Sequence, residues 1–169
     1  MRYVTFIFLL ILAACTQKTE VTKYYSNGQP SSIVELEKGI KNGKAILYYE
    51  NGNLKEKGNW VNDKQEGTWL FYYKSGKLYG NIMFRNGMQD GRSVYYYEKG
   101  DTKSIADFRA GKIEGEGYLY YPNGNLQEAS IWKNSKLDGW LIFYDTNGIE
   151  IKRKLFADGI LKDSLFKPL

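Results

Sequence analysis

The chain has 169 residues, of which 43% are hydrophobic, and its formal net charge is +5. It contains no histidine and one cysteine, which excludes Ser-His-Asp and Cys-His catalysis and zinc sites built from His and Cys. The length suits a single domain, and a lone cysteine excludes an intrachain disulfide.

The first residues are typical of an export signal. Arg2 precedes an apolar run over residues 3–12, which is too short for a membrane-spanning helix of ~20 residues. The sequence that follows resembles the bacterial lipoprotein signal: Leu12-Ala13-Ala14-Cys15. The resemblance implies that residues 1–14 are removed and that Cys15 carries a diacylglycerol. The alternative is an ordinary cleaved signal with an incidental cysteine.

This resemblance implies a lipid-anchored protein of the bacterial cell envelope. Thr16, rather than Asp, follows the cysteine, which resembles the Gram-negative pattern for the outer membrane and favours it over the plasma membrane. Two acyl chains are sufficient for stable anchoring. Residues 15–23 are expected to form the lipidated cysteine and a polar tether, and residues 24–169 a repeat domain with a terminal cap.

The repeat domain is defined by a period of 24 residues, which marks a stacked array of small units. Glycines, a large apolar residue and a tyrosine each recur with this period. The apolar series is Leu36, Trp60, Phe84, Phe108, Trp132 and Phe156, and the tyrosine series is Tyr24, Tyr48, Tyr72, Tyr96, Tyr120 and Tyr144.

Each unit reads as two strands joined by a tight turn. Asn51-Gly52 separates two runs of strand-forming residues, which predicts a β-hairpin with a type I′ turn. Lys99 precedes Gly100 in the equivalent turn and suits a left-handed conformation poorly, so another turn type is expected there. A second, looser turn follows each outgoing strand, as at residues 62–66.

The fold class is therefore all-β. Both turns are too short for crossover helices, so consecutive strands must pair with their neighbours in sequence. We predict an elongated, curved, single-layer antiparallel meander of about 11–12 strands, built from the 24-residue hairpin repeats. Tyrosine and tryptophan suit the half-exposed faces of such a sheet.

The pattern resembles the bacterial variant of the MORN repeat. The best copies are Tyr48-Tyr49-Glu50-Asn51-Gly52-Asn53-Leu54 and Tyr120-Tyr121-Pro122-Asn123-Gly124-Asn125-Leu126. The resemblance covers about residues 24–159 and implies hairpins laid side by side in a scaffold or contact surface. Some bacterial chains of this variant are described as antitoxins. The last unit departs from the pattern at Asp163, which reads as a cap.

The sequence offers little catalytic chemistry. Glu66, Asp90, Glu114 and Asp138 each precede the opening glycine of a unit, about 10 Å apart on a regular sheet, which is too far for a shared metal ion. Ordinary turn chemistry accounts for their placement. We therefore predict no enzyme activity, no catalytic residue, no metal and no cofactor. Acidic residues mixed among the lysines, in an exported chain, argue against nucleic acid.

The aromatic series are the best candidates for a binding face, although they also stabilise a one-layer sheet. The candidates are Tyr48, Tyr72, Tyr96, Tyr120, Tyr144, Trp60 and Trp132. The favoured function is a lipid-anchored, non-catalytic protein-binding or scaffolding module with a protein partner. The alternatives are binding of cell-wall or surface glycan, and an antitoxin or immunity-like role that masks a toxin.

Overall fold

The computed structural model describes residues 18–166, which form one antiparallel sheet of 15 strands. Cys15, the expected signal segment at residues 1–14 and residues 167–169 lie outside the described residues. The strands are β1 Lys18–Tyr24, β2 Pro30–Glu37, β3 Ile40–Tyr48, β4 Leu54–Val61, β5 Lys64–Tyr72, β6 Leu78–Arg85, β7 Met88–Gln89, β8 Gly91–Tyr96, β9 Thr102–Arg109, β10 Lys112–Tyr120, β11 Leu126–Lys133, β12 Lys136–Leu137, β13 Gly139–Tyr144, β14 Glu150–Ala157 and β15 Ile160–Phe166.

Thirteen strands follow one another across the sheet in chain order, and β7 and β12 pair beside them with β6 and β11. These two short strands are the starts of strands that Asp90 and Asp138 interrupt, where each backbone N–H donates to the strand before it. The sheet stays open, with β1 and β15 at its edges. The predicted all-β meander of hairpin repeats is confirmed, with more strands than expected; its curvature stays a prediction.

The predicted tether is wrong over residues 18–23. Lys18–Tyr24 forms β1, which pairs along its length with β2. Val21 lies opposite Val34 and Thr22 opposite Ile33, so the strand-forming residues of this polar segment find apolar partners. The polarity of the segment reflects its place at the edge of the sheet, where charged residues such as Lys18 and Lys23 are typical.

The two kinds of turn are exchanged relative to the prediction. The type I′ turns are the two-residue connections at the ends of the outgoing strands, where both central residues have positive φ. Asn62 and Asp63, for example, have φ of 49° and 61° between the paired residues Val61 and Lys64. The same arrangement recurs at residues 38–39, 86–87, 110–111, 134–135 and 158–159.

The Asn-Gly turns instead have three-residue loops. In the loop at residues 50–52 only Gly52 has positive φ, and its N–H donates to the carbonyl of Tyr49 at 2.9 Å. Negative φ at the two central residues excludes types I′, II and II′, and leaves a type I turn followed by a left-handed glycine. The turn at Gly100 closes in the same way, so the separate type expected at Lys99 is wrong.

One face of the sheet makes its own core, and we call it the packed face. Its central row consists mostly of small residues on successive strands, and Ala45, Ser93 and Ser130 are buried there. Flanking rows carry the large rings, such as Phe71 and Phe84. Because the sheet has one layer, these neighbouring rings are what excludes water from the central row.

Trp69 is the one large ring in that central row and is fully buried. Its indole lies against Gly58, where an added Cβ would come within 2.3 Å of the ring. Trp60 and Phe84 meet it edge-on, with centroid distances of 5.2 and 6.4 Å. Glycine at position 58 thus provides the space that the tryptophan fills.

Candidate functional site

Tyrosine hydroxyls join the repeats along one turn edge of the sheet, that is, a side formed by turns rather than by the edge strands β1 and β15. Each of five tyrosines donates a hydrogen bond to a backbone carbonyl 23 residues later, at the end of the incoming strand of the next unit. The donors are Tyr25, Tyr49, Tyr73, Tyr97 and Tyr121, and the O–O distances are 2.7–2.9 Å. The acceptors are the carbonyls of the tyrosines that sequence reasoning proposed as a binding surface, Tyr48 to Tyr144.

Asparagines reinforce the same edge. Asn51 accepts a hydrogen bond from the N–H of Asn53 within its own turn and donates its amide to the carbonyl of Lys74 in the next unit. Asn123 does the same with Asn125 and Thr146. The asparagine of the Asn-Gly motif therefore caps its turn and bridges two repeats, which explains its recurrence without a left-handed backbone.

The carboxylate series links the units along the opposite turn edge, where the two-residue turns lie. Glu66, Asp90, Glu114 and Asp138 each accept a hydrogen bond from the backbone N–H that opens the two-residue turn of the next unit. The N–O distances are 2.8–3.1 Å. These acidic residues lie along one edge, as expected, and their role is to connect neighbouring turns.

The face opposite the packed face is called the open face here. A continuous row of cross-strand pairs crosses it from β1 to β15. Its members are mostly aliphatic and mostly half-buried. In order they are Thr22, Ile33, Ile46, Lys57, Leu70, Asn81, Val94, Ile105, Tyr118, Ala129, Ile142, Arg153 and Leu165.

The proposed aromatic candidates do not share one surface. Tyr48 and Tyr120 alternate with residues of the packed face and so belong to the open face, together with Tyr72, Tyr96 and Tyr144. Trp60 and Trp132 pair with Gly43 and Gly115 on the packed face. All seven rings are half-buried. The tryptophans therefore line the core, whereas the five tyrosines border the open row.

Sequence reasoning missed the open row itself. Its residues vary in type from unit to unit, so no repeating letter marks them. The signal that could have found it is the alternation with the repeating large apolar series of the packed face, such as Trp60 and Phe84, once the strand register is known.

Residues 18–166 contain neither a membrane-spanning helix nor a metal-binding cluster. No helix there is long and apolar enough to cross a membrane. No group of three or more His, Cys, Asp or Glu residues within that range could hold a metal ion.

The fold and the two edges define a class of protein: an open, one-layer meander of laterally bonded β-hairpins. Residues 41–62, 65–86 and 113–134 match the MORN repeat variant, and residues 83–102 match the MORN repeat. Each match to the variant spans one hairpin with a three-residue turn. The hairpins are thus similar to MORN repeats, which are generally protein- or membrane-binding modules and not a known enzyme family. No curated protein matches the chain.

Proposed function

We propose that this chain is a non-catalytic scaffold that binds a protein on its open face and is held at the bacterial envelope by a lipid on Cys15. The observation that carries the proposal is the open row, which is mostly aliphatic and mostly half-buried and crosses the whole sheet. Thirteen strands at ~4.8 Å spacing give it a length of about 58 Å. A stable protein interface needs about 800 Å² on each partner, which a surface of this length supplies.

The hydrogen bonds along both turn edges favour tight binding of a partner on such a surface. Tyrosine, asparagine and carboxylate side chains link each unit to the next at both ends of the strands. A face held in this way loses little conformational freedom when a partner docks, which lowers the cost of association.

Because β1 begins at Lys18, the sheet starts close to the proposed lipid anchor at Cys15. Only two residues separate Cys15 from Lys18, where β1 begins. A span of three residues reaches at most about 11 Å, so a lipid on Cys15 would hold the β1 edge close to the bilayer. The repeats would then extend away from the membrane and present the open face along their length. Cys15→Ser should release the protein from membranes, and continued sedimentation with them would contradict the anchor.

The binding face is tested with two matched baits and envelope extract. One bait carries Met83→Lys and Ile131→Lys, which place charge on the open face at residues that are 37% and 43% exposed. The control carries Val21→Lys and Tyr79→Lys on the packed face, where both residues are 38% exposed. A partner retained by the wild type and the control but lost by the first bait supports the proposal. Equal loss with both baits, or recovery of polysaccharide instead of protein, would contradict it.

A further inference from the structure

A hollow of about 210 Å³ opens on the open face over β10, β11 and β13. Its floor is Ala129, and Tyr118 and Trp140 line it from the strands on either side. Glu116 lines it too, and its Oε2 accepts a hydrogen bond from the Tyr118 hydroxyl at 2.6 Å. Two aromatic rings, a carboxylate and a small floor thus meet at one place.

The three residues that shape this hollow all depart from their repeat series. Tyr118 stands in a series that reads Ile46, Leu70, Val94 and Ile142 before the terminal strand, where Phe166 follows, and Trp140 stands in a series that otherwise reads Lys44, Thr68, Arg92 and Glu116. Ala129 is the smallest member of the series Ile33, Lys57, Asn81, Ile105, Ala129, Arg153. The repeat fold does not need these residue types, because the other units form the same strands without them.

The charges around the hollow leave one carboxylate uncompensated. Arg92 pairs with Asp107 at 3.4 Å, and Arg153 forms two hydrogen bonds with Glu150 at 2.5 and 2.6 Å. Glu116 has no ion-pair partner among residues 18–166. The Trp140 ring already engages one cation, since the Arg153 guanidinium lies over it at 5.5 Å from the centroid.

We propose that this hollow binds a quaternary ammonium group of the choline type. Aromatic faces attract such cations through the ring quadrupole, and the nearby carboxylate supplies the opposite charge. Methyl groups on nitrogen are apolar enough to pack against the rings and Ala129. The shared chemistry is the trimethylammonium group, whether it comes from a free small molecule or from a lipid headgroup.

An equivalent hollow lies three repeats earlier in the chain, and its charged side chains are positive instead of negative. There it measures about 350 Å³ and is lined by Lys44, Lys57 and Leu70, with lysine in place of Glu116 and of Ala129. Two ammonium groups would repel a cationic ligand, so this first hollow is a control site within the same molecule.

The test is to titrate the purified protein with choline chloride and to measure binding by isothermal titration calorimetry. The uncharged control ligand is 3,3-dimethylbutan-1-ol, which has the shape of choline without its charge. We expect choline to bind at least tenfold more tightly than the alcohol. Glu116→Gln, Trp140→Leu and Ala129→Lys should each weaken choline binding at least tenfold. Thr68→Val, at the position of Trp140 in the first hollow, should leave it unchanged.

Three outcomes would overturn the assignment: no choline binding, equal binding of the neutral alcohol, or equal loss with Thr68→Val. Unchanged melting temperatures of Glu116→Gln and Trp140→Leu show that a loss of binding is not a loss of fold. Titration with N-acetylglucosamine is the competing arm, and sugar binding without choline binding would also overturn the assignment. Vesicles of phosphatidylcholine, compared with phosphatidylglycerol, then separate a headgroup from a free ligand as the source.

Discussion

The hydroxyl of Tyr73 donates a hydrogen bond to the backbone carbonyl of Tyr96 in the next repeat, at 2.8 Å. This contact recurs at five junctions and ends where Asp145 takes the place of tyrosine and caps its own turn. Consecutive tyrosines in the motif therefore have different tasks. The first supplies a carbonyl and a ring on the open face, and the second supplies the hydroxyl that fastens it.

Tyr73→Phe tests this division of roles. It removes one part-buried hydrogen bond and leaves the carbonyl of Tyr96 without its donor, which should lower the free energy of unfolding by about 1 kcal/mol. Urea denaturation measures the change. Tyr72→Phe is the matched control, because the Tyr72 hydroxyl has no protein hydrogen-bond partner among residues 18–166. An equal loss for both variants would show that the ring, rather than the hydroxyl, stabilises the junction.

Lys99→Asn should stabilise the protein. The turn at Gly100 lacks the amide that other units use, and asparagine there would cap the N–H of Asp101 and reach the carbonyl of Pro122. We expect a gain of about 0.5–1 kcal/mol in the free energy of unfolding. Lys99→Gln is the control, since its longer side chain cannot form the local cap. No gain over the glutamine variant would contradict the bridging role of asparagine.

Gly58→Ala should destabilise the packed face. The new Cβ would lie 2.3 Å from the Trp69 ring, and overpacking of this kind costs about 1–3 kcal/mol. Gly80→Ala is the control, because its Cβ would come no closer than 3.3 Å to Tyr95. Combining Gly58→Ala with Trp69→Phe should cost less than the sum of the two changes. Strict additivity in thermal denaturation would show that the two positions do not share one space.

Glu128→Gln should stabilise the protein at neutral pH. Glu128 lies between Leu119 and Phe143 on the packed face, and burial raises the pKa of its carboxyl. The folded state therefore holds the proton more tightly than the unfolded state, so stability falls as pH rises from the unfolded pKa through the folded one. Glutamine removes this half-buried charge.

The melting temperature of Glu128→Gln should thus exceed that of the wild type at pH 7, and the gain should vanish below about pH 4. The same change at Glu56, the equivalent position three repeats earlier, controls for the loss of a carboxylate. A gain that persists at low pH would point to a cause other than ionisation.

Most of the fold could be predicted from the repeat period. It predicts the strand pairs, because short turns permit only neighbouring strands to pair, and the hairpin at Gly52 follows from it. Individual residue types gave wrong predictions where tertiary contacts determine the local conformation. Asn51 was read as a left-handed residue, yet its amide is needed for the bridge to Lys74. Likewise residues 18–23 looked like a tether because an edge strand needs few apolar residues.

The candidate site was less predictable for a physical reason. Trp60 and Tyr48 share a period, so sequence reasoning placed them together, but strand alternation puts them on opposite faces. Strand register decides this, and the period does not give the register where a bulge interrupts the pairing, as beside Gly67. The open row contains nonrepeating residues, which only the pairing of strands reveals.

The most direct test of the protein-binding proposal is site-specific photocrosslinking in the source cells. A photoreactive phenylalanine analogue replaces Met83 on the open face or Tyr79 on the packed face, two residues with nearly equal exposure of 37% and 38%. We predict one discrete protein adduct from position 83, identified by mass spectrometry, and none from position 79. The same adduct from both positions, or an adduct from position 79 alone, would contradict an interaction on the open face.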